Sequence, residues 1–556
     1  MRTPGFVVLL LTTTAHAGGP MEPDDLPAPH PEIAHDAPKV VLPPVPAFEL
    51  PVTEPGVHRP RELRLRGAGL LGSEIAVKGY VTWIYDCAAE LALTNPGLER
   101  AALLDAIDRD PRQCDRPRFY LGETGGAPIE TSISVVDVPR RPAKPEREAL
   151  TRAELAAWPT VPNIAVGAHV LVTGTWATRS PRGAYNSKGF LVYKALAHAA
   201  PGAATAAPPP AVAASAPVPI EVAIVTRPPL RPLVANPVFN TSVDHLNACN
   251  KLIVVGRYDD GIAECEAAAR AWPGNHLAWY EIAGAHIARR AWREAGAAAA
   301  RAVAMRPDLA MYQLYHGLAL YEAERQRARE TQAEREHRRP DEVAIDPSAL
   351  ELDAARDALV RATRLGPELW RAHYYLGRVY RDCDDARRAA EEFTQAIAAH
   401  PRYRPAYIAL IELYRRWDYV DQALAVAIVG VAQVAPADAP ELWYEAGVVL
   451  DAKRINDQAI AAFDKAIAGN PRDALSRFLR GQLYLRKGQL DDARRELEEV
   501  VRSSDPEVAD ARPIAVQLLQ RIARKQHLRD ASTTVADCKH HGGCMHDMDG
   551  LIDLTQ

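Results

Sequence analysis

The chain has 556 residues, 48% of them apolar and 25% charged, with a formal net charge of −5. That balance suits a globular protein of more than one domain and excludes a wholly disordered chain. The small net charge excludes an overall field that would draw in nucleic acid or an anionic membrane surface, so recognition led by charge has to be local.

The chain opens MRTPGFVVLLLTTTAHAGGP: Arg2 supplies a positive start, Phe6 to Leu11 an apolar run, and Ala15, His16 and Ala17 a small-residue cleavage site. Residues 1–17 therefore read as an export signal. Its apolar run is far shorter than the roughly 20 residues that span a bilayer, so the expectation is an exported, soluble protein of the bacterial periplasm or cell envelope. Export would place the seven cysteines in an oxidising compartment, where disulfides form. Cys87 and Cys114 fall in one candidate domain, Cys249 and Cys265 in one candidate hairpin and Cys538 and Cys544 in the tail, with Cys383 left over.

Residues 18–61 are proline-rich and without periodicity, which predicts a disordered, extended linker, and a Pro/Ala-rich stretch over 199–241 predicts a second. Between them, 62–198 carries five strand-like runs: EIAVKGYVTWIYDC ending at Cys87, PRFYLGET from Pro117, TSISVVDVP from Thr131, AHVLVTGTWATRS from Ala168 and GFLVYKAL from Gly189. A helical pattern from Pro145 separates the third from the fourth, and a helical insertion over 95–114 follows the first, where a Cys87–Cys114 bridge would hold it. Three strands, a helix and two strands is the order of an OB-fold barrel. The segment resembles bacterial OB-fold domains in that order and in its VKGYVTWIYDC and VLVTGTWATRSPRG runs, with Gly79 and Gly174 where a barrel strand bends. The resemblance implies a groove able to hold an oligonucleotide or small ligand, with Lys78, Tyr80, Phe119, Tyr120, Arg179, Arg182, Tyr185 and Lys188 as its basic and stacking groups, and Trp83, Trp176 and Phe190 as core. An exported protein rarely meets single-stranded nucleic acid, so a structural or protein-contacting barrel is the expectation.

From 242 the composition turns helical, and a proline returns at 273, 307, 367, 401, 436 and 471. The spacings are 34 or 35 except for one of 60, which is one repeat with 26 residues inserted. Before Pro401 stand His373, Leu376, Gly377, Tyr380, Ala389, Phe393 and Ala396; before Pro471, at the same offsets, stand Trp443, Ala446, Gly447, Leu450, Ala459, Phe463 and Ala466. Such a unit predicts a helical hairpin that ends where proline breaks the second helix, with the glycine opposite Ala389 or Ala459 and the phenylalanine filling the gap to the next hairpin. The pattern resembles the tetratricopeptide repeat family over seven units at 242–506, with a charged insertion at 324–350 and a capping helix at 507–525. The overall expectation is a multidomain α plus β protein: a small OB-like barrel followed by an all-α solenoid. In the first unit Cys249 replaces the small glycine and Cys265 the large aromatic, on facing helices, which pairs them.

The family's usual partner site is the groove lined by the first helix of each unit. Projecting its offsets onto this chain predicts an apolar stretch of Leu277, Tyr280, Ile287, Met311, Leu314, Leu318 and Tyr321, then a basic one of Arg371, Tyr374, Arg378, Arg381, Arg415 and Arg416. Arginine forks pair bidentately with carboxylates, so the expected partner is a protein or peptide with an acidic or C-terminal carboxylate segment. The tail over 526–556 gathers Cys538, His540, His541, Cys544 and His546, soft ligands suited to copper or zinc, although their spacing fits no structural zinc pattern. A phosphate-cradling glycine loop, an HExxH helix and a G-x-S-x-G elbow are all missing from the sequence, so neither enzyme activity nor a cofactor is expected.

Overall fold

A computed structural model describes residues 40–523 apart from 51–53, 95–97, 199–236, 341–342, 344, 506–507 and 510. The export-signal pattern, most of the second linker and the Cys/His tail lie outside the described residues. Contacts divide the chain into two compact units, one of Glu49–Thr205 with Ala446–Gln556 and one of Thr12–Phe48 with Ala206–Glu445.

Among its described residues the first unit contains six strands: β1 (Val57–His58), β2 (Glu74–Ile84), β3 (Phe119–Gly122), β4 (Ile133–Val136), β5 (His169–Arg179) and β6 (Tyr185–His198). β2 pairs antiparallel with β3 and with β5, β3 with β4, and β6 with β5, while β4 and β6 run parallel. The succession β2, β3, β4, β6, β5 thus returns to β2, and β1 adds to β2 in parallel. Along β2 the alternation places Ile75, Val77 and Val81 in a core shared with Phe119, Leu121, Val135, Val172, Trp176 and Leu191. Gly174 marks a register shift between β5 and β6, where a Cβ would strike the Val192 carbonyl oxygen. Only glycine fits that approach.

Among the described residues five short helices flank the strands: α1 (Pro60–Arg66), α2 (Cys87–Thr94), α3 (Arg100–Arg109), α4 (Lys144–Ala149) and α5 (Arg152–Ala156). β1 and the start of α1 fall inside the stretch read as a disordered linker; Pro60 begins α1 because its fixed φ suits a first helical turn. The helical insertion begins at Cys87 rather than 95, and the Cys87–Cys114 disulfide closes it, with Cα atoms 5.5 Å apart.

Among the described residues the repeats form seven hairpins. They are α6 (Pro237–Val254) with α7 (Tyr258–Ala271), α8 (His276–Ala288) with α9 (Trp292–Met305), α10 (Ala310–Glu336) with α11 (Asp353–Leu365), and α12 (Trp370–Asp382) with α13 (Ala386–Ala399). Then come α14 (Arg404–Arg416) with α15 (Val420–Gln433), α16 (Ala439–Ala452) with α17 (Asn456–Gly469), and α18 (Ala474–Arg486) with α19 (Leu490–Arg502). The inserted residues lengthen α10, so the charged run continues the first helix of its hairpin before the chain turns back. In the first unit, Val508, Ala511, Ala515 and Ile522 join Phe478, Leu490 and Leu497 in one core, so the residues after α19 cover the apolar face of the last hairpin.

Gly377 and Gly447 meet Phe393 and Phe463, not the alanines read from the sequence. A Cβ on Gly377 would lie 2.7 Å from the Phe393 ring, so the ring fills space inside its own hairpin. The Cys249–Cys265 disulfide stands at the same two offsets in the first hairpin, with Cα atoms 5.3 Å apart. The turns within hairpins share a backbone device: Gly256, Arg290, Asp384, Asp418, Arg454 and Gly488 all take positive φ, from 57° to 79°.

Candidate partner-binding site

In the second unit the first helices α8, α10, α12 and α14, with α16 as far as Glu445, carry the residues expected to line a groove. The apolar stretch is not an open stripe. Leu277 is 46% exposed and Met311 half-buried, but Tyr280 is 7% exposed and Ile287, Leu314, Leu318 and Tyr321 are fully buried. The reason is packing between successive hairpins. The Tyr280 ring stacks on Tyr312 and Tyr315 at 5.0 and 4.5 Å, and Tyr321 lies under the guanidinium groups of Arg378 and Arg325 at 5.0 and 5.4 Å. These side chains belong to the core.

The basic stretch is corrected in a similar way, because three of its arginines, Arg378, Arg381 and Arg415, already meet carboxylates of this chain. Arg378 pairs with Glu322 at 2.9 Å, Arg381 with Asp382 at 3.0 Å, Arg325 with the same Asp382 at 2.6 Å, and Arg415 with Glu445 at 2.6 Å. The Tyr321 hydroxyl donates to Asp382 at 2.7 Å. Burial opposes the ionised form of Asp382, yet Arg381, Arg325 and the Tyr321 hydroxyl overrule it and hold its carboxyl down at about 2. Arg371 stacks on Trp370 at 4.2 Å, Tyr374 meets Tyr403 edge-on at 5.1 Å, and Arg416 is exposed. The first helices α10 and α12 thus each carry both signs, and the pairs run within and between first helices. Sequence reading found the arginines of the basic stretch and missed Glu322, Asp382 and Glu445, whose signal was an acid on the adjoining or same first helix.

Beside these pairs, Glu281 is 9% exposed, and burial pushes its carboxyl up to about 7. Its surroundings are the Tyr280, Tyr312 and Tyr315 rings, whose own hydroxyls it affects.

The groups projected onto the sheet domain divide. Phe119, Trp176 and Phe190 are core, which removes Phe119 from any binding face. Trp83 is half-buried and meets Tyr120 edge-on at 5.6 Å. Tyr80 stacks on His169 at 4.4 Å, and Lys78 bonds Glu54 at 2.9 Å. Arg179 and Arg182 are exposed, while Tyr185 and Lys188 lie on β6 with side chains that are not described. The metal candidates Cys538, His540, His541, Cys544 and His546 lie outside the described residues. Among the described residues no helix is long and apolar enough to cross a membrane.

The family model that matches this chain is the tetratricopeptide repeat, over residues 252–331 and 444–509. The hairpins within 252–331 and 444–509 are tetratricopeptide repeats. Solved structures similar to this chain include a tetratricopeptide repeat protein from Parabacteroides merdae, 12% identical over 51% of this chain and 99% of that one, with a TM-score of 0.34. PilF of Pseudomonas aeruginosa is 13% identical over 42% and 95%, with a TM-score of 0.33. A tetratricopeptide protein of Thermus thermophilus is 25% identical over 38% and 98%, with a TM-score of 0.28. Scores of this size carry no argument about function. No curated protein matches the chain.

Proposed function

We propose that this chain is a non-enzymatic scaffold, exported to an oxidising compartment, that binds a partner protein or peptide through the first-helix surface of its tetratricopeptide repeats. The observation that carries the reading is the run of hairpins itself. Successive hairpins bury their flanks against one another, and repeats of this family serve as protein-interaction surfaces. Two disulfides, Cys87–Cys114 and Cys249–Cys265, support the oxidising compartment. The returning succession of strand pairings, with β4 parallel to β6, supports an OB-like barrel for the N-terminal domain.

An acidic partner segment would have to displace Glu322, Asp382 or Glu445 from Arg378, Arg381 or Arg415. The proposal therefore ranks a carboxylate preference second to apolar contact around Leu277 and Met311. Placing a photo-crosslinking residue at Leu277 or at Arg416, both exposed on first helices, should trap one recurrent partner. The same probe at Leu365, exposed at the end of the second helix α11, should not. Crosslinks that appear at Leu365 alone would remove the first-helix surface from the reading.

A further inference from the structure

One contact in the second unit joins segments that the sequence keeps far apart. Val40, Leu42, Pro43, Pro44 and Val45 line a shallow cavity together with Thr394 and Ala398 of α13. A few residues on, Phe48 sits among three rings at the end of α14 and the turn after it: Tyr414, Trp417 and Tyr419, with ring centroids 5.9, 5.3 and 5.2 Å away. Its main-chain N–H donates to the Tyr419 hydroxyl oxygen at 3.2 Å across 371 positions of sequence. Phe48 is only 8% exposed, and Tyr414 and Trp417 are buried. This corrects the expectation that the whole of 18–61 is an unstructured linker.

Three features mark the contact as recognition. Phe48 holds a left-handed backbone, φ 55°, which an L residue keeps only where its surroundings impose it. The prolines before it preset an extended backbone, so docking orders little that was free, as when proline-rich ligands dock on aromatic-lined grooves. The Tyr414 hydroxyl is buried with no hydrogen-bond partner among the described residues, a donor that the seated segment leaves unused.

We propose that Thr394, Ala398, Tyr414, Trp417 and Tyr419 form a second peptide-recognition surface, selective for a proline-rich segment that ends in an aromatic residue, and that residues 40–48 are its resident ligand. The proposal does not rest on the first-helix reading, since it uses α13, the end of α14 and the following turn. A partner segment of the same pattern enters by displacing the resident one, and a carbonyl offered to the Tyr414 hydroxyl favours the newcomer. A tethered ligand competes at an effective concentration of order millimolar, so the unaltered chain is largely closed to free peptide.

The test is a titration, followed by fluorescence polarisation, of a labelled peptide spanning residues 40–51 into the full-length chain and into its Phe48→Ala variant. Circular dichroism checks that helix content is kept. The variant should bind the peptide at least tenfold more tightly than the unaltered chain. Adding Tyr419→Phe, which removes the acceptor oxygen and little volume, should weaken that binding several-fold. Equal binding to both chains, no binding to the variant, or indifference to Ala in place of the peptide's own phenylalanine overturns the proposal. Should Phe48→Ala lose helix content, the same titration on Leu42→Asp, which leaves the aromatic box intact, decides by the same criteria.

Discussion

The first and fourth hairpins meet one requirement by different chemistry. Where α12 and α13 cross, Gly377 yields its Cβ space to the Phe393 ring; where α6 and α7 cross, Cys249 and Cys265 span the gap with a covalent bond. The fourth hairpin lies between two others in the chain, while the first has a neighbouring repeat on one side only. The difference teaches that a repeat's inner contact is a distance to be filled, and that a crosslink can replace packing where fewer hairpins contribute burial.

Four sets of variants break or sharpen this comparison, with the largest effect first. Phe393→Ala should cost about 3–5 kcal/mol, because a buried ring leaves a cavity beside a glycine that cannot fill it. Replacing Cys249 and Cys265 together with Ala should cost about 3 kcal/mol, the value for a closed loop of that size. Hydrogen exchange resolved by helix should show the first change loosening α12 and α13 and the second loosening α6 and α7. Equal loosening everywhere would show that the hairpins do not open separately. The second hairpin supplies a pH-dependent case. The folded pKa of Glu281 lies near 7, above its ordinary 4.5, so its stabilising share is complete below about pH 4.5 and fades as pH rises through 7. Glu281→Gln should therefore stabilise the chain at pH 8, by at most about 3 kcal/mol, and flatten the dependence of melting temperature on pH between 5 and 8. The smallest effect concerns the turns. Asp384→Gly should gain up to about 1 kcal/mol by relieving a left-handed aspartate, and Gly256→Ala should lose a similar amount. Thermal melts of the two variants should move in opposite directions.

The repeats were legible because proline, glycine and aromatic positions recur on one beat, and hairpin geometry leaves few alternatives for residues such as Gly377 and Phe393. The strand order of the N-terminal domain was legible from alternation, whereas β1 and the start of α1 fell in a proline-rich stretch whose composition hid them. The groove was only half legible. Offsets show which side of a helix a residue takes, but not that Tyr280 is covered by the next hairpin or that Arg378 is already matched by Glu322. Those facts depend on side chains from neighbouring repeats, whose acids the groove offsets do not pick out. Phe48 had no local signal, because the box that holds it is assembled 371 positions away.

The strand pairings also set an order of events for a chain made from its N-terminus. Glu74 on β2 pairs with Thr175 on β5, 101 positions later, and β4 must wait for β6 before its parallel ladder can form. Cys249 and Cys265 are 16 positions apart, and the other hairpins close over similarly short loops except where the insertion intervenes. Because long-range closure slows folding, the domain that is synthesised first finishes its fold on a slower clock than any single repeat made after it.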